Sequence, residues 1–392
     1  MTQTFDIAVI GLGAMGSAAL YQSARRGASV VGIDRFHPPH VHGSTHGQTR
    51  ITRRAIGEGE VYVPLATRSH EIWRELESAS GKSLLHEVGS IIISERDDDV
   101  QRPGRTGFIR RSIAAAERYG IAHEVLDAGE IRRRFPHLTP SDAEIGYYEP
   151  GGGYVVPENC VATQLELAER QGAMLQLGRK VVRLDARQDS VHVHFEDGSE
   201  LLAGQVIVSA GPWAPGLLGA PFDRVLKPTR QVMHWFALDR DAPPSWEQSP
   251  VFMWPHGDSE DGFFYGFPSL DGQSFKTAGE FYGAASDPDK LEREVSAAES
   301  QRMFDTHIRG RLAGATPRAV ATATCIYTAT ANSMFLIDRH PAHDNILVVS
   351  PCSGHGFKHS AAIGEAVTQW VLDGQPGIDL SSFKLAHLLT PN

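Results

Sequence analysis

Cysteine is scarce in this chain of 392 residues: only Cys160, Cys325 and Cys352 occur, far apart and in no C-x-x-C arrangement. That usage excludes a disulfide framework and a cysteine-built zinc site, and it suits a reducing compartment. No run of about 20 apolar residues is present, which excludes an ordinary membrane-spanning helix. The opening Met1-Thr2-Gln3-Thr4-Phe5-Asp6 lacks the basic segment of a signal peptide, and the apolar run behind it is broken by Gly11, Gly13 and Gly16. A soluble cytoplasmic protein that neither crosses nor binds a membrane is therefore expected. Positive charge is also in short supply. The chain has 37 Lys+Arg against 47 Asp+Glu, a formal charge of −10, which argues against nucleic acid as a partner. Among the 18 histidines no metal-ligating pattern stands out, and His40 and His42 alternate in a proline-rich loop without cysteine or an i, i+4 partner. No metal site is expected.

What is present begins with Ile7-Ala8-Val9-Ile10, an apolar run that stops at Gly11-Leu12-Gly13-Ala14-Met15-Gly16. Ser17 to Arg26 is alanine-rich and compatible with helix, and Gly27 after two arginines is a helix end. Ser29-Val30-Val31-Gly32-Ile33 reads as a second buried strand with Asp34 at its end, which completes a βαβ unit. In such a unit Gly11 allows the tight turn, Gly13 lets the backbone approach a pyrophosphate, and Gly16 lets helix and strand pack closely. The helix start faces the phosphates. Asp34, eighteen residues past Gly16, is placed to accept hydrogen bonds from ribose hydroxyls. NAD and FAD both fit at this point.

The next polar stretch carries Ser44-Thr45-His46-Gly47-Gln48-Thr49-Arg50-Ile51-Thr52-Arg53-Arg54, followed by Gly57-Glu58-Gly59-Glu60. On a helix, Arg50 and Arg53 would share a face. Combined, these segments resemble the monomeric sarcosine oxidase and N-methyltryptophan oxidase family of flavoproteins, whose pattern is close to GSHHGDTRxxRxxYGEG. Three later segments extend the resemblance over most of the chain. Phe264-Tyr265-Gly266-Phe267-Pro268 with Lys276 is similar to the family's YYGFP segment and its downstream lysine. Cys325-Ile326-Tyr327-Thr328 is similar to its flavin-attachment segment, and Ser353-Gly354-His355-Gly356-Phe357-Lys358 matches its SGHGFK loop.

The resemblance implies an α/β fold: a discontinuous Rossmann-type FAD-binding domain and a mixed α+β substrate domain built on an antiparallel sheet. The order of segments gives residues 1–85, 147–217 and 317–392 to the first, and 86–146 and 218–316 to the second. It also implies FAD held covalently through Cys325, since a positioned thiolate attacks an electrophilic flavin ring methyl. Cys160 and Cys352 have no such setting and read as structural. Gly354, Gly356 and Lys358 are expected beside the flavin, where backbone N–H groups and a lysine stabilise negative charge. Lys276 takes the oxygen-activating role, with Arg50, His46 and Tyr265 on the flavin side of the pocket. Arg53 and Lys358 are implied to hold a substrate carboxylate.

The expected function is oxidation of a secondary amino acid, sarcosine-like, to an imine, with oxygen reduced to hydrogen peroxide by a monomer. Alternatives are a cyclic imino acid oxidase, a dehydrogenase passing electrons to another acceptor, or a non-catalytic flavin-binding protein. The sequence departs from the family in three places. Thr45-His46 stands where the family has paired histidines, with Gln48 for its acidic residue. Thr328-Ala329-Thr330-Ala331-Asn332-Ser333-Met334 lacks the aspartate and glutamate that follow the attachment cysteine. Glu280 replaces a histidine four residues after the lysine, where it could pair with a cationic substrate tail or sit at a solvent rim.

Overall fold

The computed structural model describes residues 3–102, 104–281 and 283–389. Met1 and Thr2 of the opening segment, and the last three residues of the final one, lie outside the described residues.

The βαβ unit forms as its residues dictate. Strand β1 (Thr4–Ile10) is buried from Ile7 onward, helix α1 spans Ala14–Arg25, and strand β2 (Val30–Asp34) is buried throughout. Gly11 takes φ +87, and a Cβ there would lie 2.6 Å from the Ser209 carbonyl oxygen, so only glycine fits the turn. At the helix end Gly27 takes φ +80, the left-handed conformation expected of it.

Parallel pairing extends this unit into an eight-stranded sheet. β1 lies between β2 and Glu200–Val208, β2 pairs onward with Met174–Leu177, and Glu200–Val208 pairs in parallel with His343–Ser350. The expected strands near residues 181–184 and 191–195 run antiparallel at one edge, as Val181–Ala186 and Val191–Phe195. Helix Ser360–Asp373 packs on α1 so closely that a Cβ on Gly364 would lie 2.4 Å from Ala18 Cβ. Cys160 is fully buried in the core.

The second eight-stranded sheet has the order Ala315–Ala329, Lys227–Leu238, Ser274–Gly279, Phe263–Gly266, Val251–Pro255, Ser90–Glu95, Glu144–Glu149, Glu124–Asp127. All neighbours are antiparallel except Val251–Pro255 with Ser90–Glu95. Each expected boundary falls within an element: 85/86 in strand Leu85–His86, 146/147 in strand Glu144–Glu149, 217/218 in helix Ala214–Leu218, and 316/317 in Ala315–Ala329, which pairs with Lys227–Leu238 in the second sheet.

Arg50 lies on a short strand, Arg50–Thr52, which pairs with Gly153–Val155; Arg53 follows that strand, so the two arginines share no helical face. No helix among the described residues is long and apolar enough to cross a membrane.

Candidate active site

A cavity of about 440 Å³ runs between the two sheets, within the range of small-molecule sites. Its wall includes Gly11, Gly13, Asp34, Arg50, Arg53, Tyr265, Glu280, Cys325, Gly354, Gly356 and Lys358, brought together from every part of the chain. Gly16, His46 and Lys276 stand behind the wall. Gly16 has a packing task, because a Cβ there would lie 1.8 Å from the Gly11 carbonyl oxygen.

At the glycine-turn end the wall is shaped for a ligand. Gly13 has an ordinary φ of −70, and a Cβ on it would find only Thr45 Oγ1 at 3.5 Å. Its missing side chain thus leaves room in the cavity and satisfies no need of the fold itself. Asp34 accepts the Leu12 N–H on Oδ2 and the Phe36 N–H on Oδ1, both at 2.8 Å, so it braces the turn while its remaining lone pairs stay available. Ser350 Oγ and Thr328 Oγ1, buried in the wall, have no hydrogen-bond partner, which marks polar atoms set to meet a bound group. The loop around Gly354 (φ +82) is equally tight, since a Cβ on Gly356 would lie 1.6 Å from the Pro351 carbonyl oxygen. These residues fit a dinucleotide.

Beside Cys325 lies Arg50. Its Nη2 donates to the Ser44 carbonyl at 2.8 Å and stands 3.9 Å from Cys325 Sγ, while its Nη1 donates to the Thr49 carbonyl at 2.8 Å. Cys352 also lines the cavity, and its Sγ accepts the Thr328 N–H at 3.3 Å, so it belongs to the site wall and not only to the packing. His46 is buried with Nε2 unpartnered, and burial together with the neighbouring Arg50 pushes its pKa down to about 3, which keeps it neutral. Lys276 donates to the carbonyls of Gly47 at 2.6 Å and Thr49 at 2.8 Å, and to Thr49 Oγ1 at 3.1 Å. All three ammonium protons are thereby used. Burial, then the charge of Arg50, hold its pKa well below the usual lysine value.

The other end carries five charged side chains in one network. Arg53 donates to Glu58 at 2.5 Å with its guanidinium 5.2 Å from the Phe108 ring centre. Arg105 donates twice to Glu280, at 2.5 and 2.9 Å, lies 4.0 Å from Glu58, and stacks 4.3 Å from the Phe263 ring centre. Lys358 donates to the His355 carbonyl at 2.7 Å and stands 3.8 Å from Glu58. Burial alone would raise the Glu58 pKa, but the charges of Arg53 and Lys358 hold it well below the usual carboxylate range. Burial pushes Lys358 down to about 7. Glu280 thus faces an arginine, and neither a solvent rim nor an unneutralised acid describes it.

Sequence reasoning missed Glu58, Arg105, Cys352 and Glu158. Glu158 Oε1 accepts the N–H groups of Gly47 at 2.6 Å and Gln48 at 3.1 Å, behind the loop that Lys276 grips. Only Glu58 left a signal, as a lone acid between Gly57 and Gly59 inside a motif already singled out. Trp254 is core, with Nε1 donating to Glu144 at 2.7 Å, and Trp235 Nε1 donates to Gln48 at 2.9 Å. Arg110 and Arg132 to Arg134 make ion pairs at the surface. Among the described residues no group of His, Cys, Asp and Glu is arranged to hold a metal ion.

A mixed, largely parallel sheet with a glycine turn at a helix start shares one cavity with an antiparallel sheet and with buried charged side chains from the segments between them, and this defines a class: a protein built to hold a dinucleotide. Residues 6–370 match the family of FAD dependent oxidoreductases called DAO. The chain is 39% identical over 381 residues to a monomeric sarcosine oxidase of Streptomyces avermitilis, covering 95% of each chain. It is 32% identical to an N-methyl-L-tryptophan oxidase of Citrobacter koseri, covering 97% of this chain and 98% of the other. Its fold is similar to that of NikD, an amino acid oxidase of nikkomycin biosynthesis, with TM-score 0.81, 25% identity and 98% of each chain covered. The chain belongs to the DAO family of FAD-dependent oxidoreductases.

Proposed function

We propose that this protein is a flavin-dependent oxidase of secondary amino acids, acting on an N-methyl amino acid of the sarcosine kind, with oxygen as acceptor and a monomer as the working unit. The observation that carries the reading is the buried pair Arg53 and Lys358 on the wall of a cavity that fits a dinucleotide, in a chain similar along its length to sarcosine oxidases. Two adjacent buried cations match a carboxylate. Glu58, which lies against both, offsets one of their two charges and leaves the other for the substrate carboxylate.

FAD, when bound, supplies the two-electron acceptor for the C–N bond. Gly11, Gly13 and Asp34 would hold its nucleotide part, and the loop from Gly354 to Lys358 would supply backbone N–H groups and a lysine to the rest of the cofactor. Arg53 and Lys358 fix the substrate by its carboxylate, which orients the amine and excludes water from that end of the cavity. Arg50, Tyr265 and neutral His46 shape the wall beside Cys325. The charge on Lys276 stabilises the negative charge that develops as oxygen is reduced. The imine leaves and adds water, so an N-methyl amino acid yields the demethylated amino acid and formaldehyde, with hydrogen peroxide formed from oxygen. Oxygen uptake and peroxide formation with an N-methyl amino acid, and neither with its amide, are the expected results. Equal turnover of acid and amide would refute the carboxylate assignment.

Cys325 is the proposed attachment point of the flavin. After acid precipitation the yellow colour is expected in the pellet for the native protein and in the supernatant for Cys325→Ser. Colour in the supernatant for both would refute the attachment.

Binding of a carboxylate ligand should also depend on pH. Lys358, held at about 7 by burial, carries its charge below that value and loses it above, so the dissociation constant should rise as pH increases through about 7. Titration with a non-reacting carboxylate across pH 6 to 9 checks this, and Lys358→Met should flatten that portion of the profile.

A further inference from the structure

We propose that Arg105 and Glu280 set the charge class of the substrate, making the site one for amino acids with a single carboxylate and an uncharged side chain; this rests on the carboxylate reading of Arg53 and Lys358. The charges of this network weigh heavily because its side chains are almost closed off from bulk water. The side chains of Arg53, Glu58, Arg105, Glu280 and Lys358 are 2%, 3%, 7%, 4% and 4% exposed. They form one connected network through the Arg53–Glu58, Arg105–Glu58, Arg105–Glu280 and Lys358–Glu58 contacts. A buried charge that finds no opposite charge is strongly unfavourable, so the sum over the network decides which ligand is tolerated.

Below pH 7, where Lys358 carries its charge, three cations and two carboxylates leave one positive charge. The histidines packed here do not change the sum: burial pushes His355 down to about 3 and His359 well below its usual value, so both are neutral. A substrate with a deprotonated amine and one carboxylate brings the total to zero. A second carboxylate would leave one negative charge, and an ammonium tail one positive charge.

Arg53, Lys358 and Glu58 alone already sum to one positive charge, so Arg105 and Glu280 enter as a neutral pair. Their two parallel hydrogen bonds, at 2.5 and 2.9 Å, and the Phe263 ring against the guanidinium fix that pair in place. Removing the charge from one partner alone changes the total by one unit. Glu280→Gln gives two positive charges and should admit a dicarboxylate. Arg105→Met gives zero and should admit a cationic tail.

The test is equilibrium binding of three non-reacting probes to the oxidised holoenzyme at pH 6.5, where Lys358 carries its charge, under anaerobic conditions, followed by the change in flavin absorbance. Butanoate has an uncharged tail, succinate a second carboxylate and 4-aminobutanoate an ammonium tail. The native protein is expected to bind butanoate at least about tenfold more tightly than either of the others. Glu280→Gln should reverse the order of butanoate and succinate, and Arg105→Met that of butanoate and 4-aminobutanoate. The double variant, which keeps the sum at one, should return the native order. Native protein binding succinate or 4-aminobutanoate as tightly as butanoate would overturn the proposal even if the single variants failed to fold, and so would an unchanged order in folded variants. Failure of the native protein to bind any probe is a different result: it would remove the carboxylate reading itself, and this proposal with it.

Discussion

Replacing Lys276 with Met is expected to slow the reaction of the reduced protein with oxygen by roughly 10²- to 10³-fold, the usual effect of removing one preorganised electrostatic group. Reduction by substrate should change far less. The reason lies in how the ammonium is held. Its three protons are bound by Gly47 and Thr49, acceptors that favour the ammonium form against the burial that lowers its pKa, so from behind the wall it acts as a fixed charge and not as a hydrogen-bond donor. The Phe267 ring lies 4.6 Å from Nζ, and Glu158 secures the far side of the same loop. Such a charge costs little reorganisation when negative charge develops nearby. Rapid mixing separates the two half-reactions. Equal slowing of both would show that the lysine only supports the loop.

Replacing Arg53 with Met is expected to raise the Michaelis constant for a carboxylate-bearing substrate by roughly 10²- to 10³-fold, because a truncated buried charge partner costs about 2–5 kcal/mol. The same change leaves Glu58 with Lys358 at 3.8 Å and Arg105 at 4.0 Å in place of its 2.5 Å bond to Arg53. A loss of stability should therefore accompany the kinetic effect. The double variant Arg53→Met, Glu58→Gln distinguishes the two: it should recover part of the urea midpoint and none of the Michaelis constant. Recovery of both would make Arg53 merely the partner of Glu58.

The nucleotide half of the site was legible because its physics is local. An apolar strand, glycines spaced for a tight turn and an acid closing the second strand act within about thirty residues, and Gly11, Gly13 and Asp34 indeed line one cavity. The substrate half depends on contacts between distant segments. Arg105 lies in a polar loop with no periodicity, and its meaning appears only when Glu280 is brought to within 2.5 Å. Glu58 between two glycines resembles any turn acid until Arg53 and Lys358 surround it. The strand Ala315–Ala329 begins in mostly small, partly exposed residues, so its pairing in the second sheet leaves little trace in the sequence pattern. Lys276 stands out by motif, but the carbonyls that hold it belong to a loop far back in the chain.

The central claim is that this chain oxidises a secondary amino acid and returns the electrons to oxygen. Anaerobic mixing with an N-methyl amino acid, followed by air, tests it most directly. Loss of the yellow absorbance on mixing, its return with air and one peroxide per flavin are the results predicted. Absorbance that stays unchanged with every N-methyl and cyclic amino acid offered, or that is lost and not restored by oxygen, would contradict it.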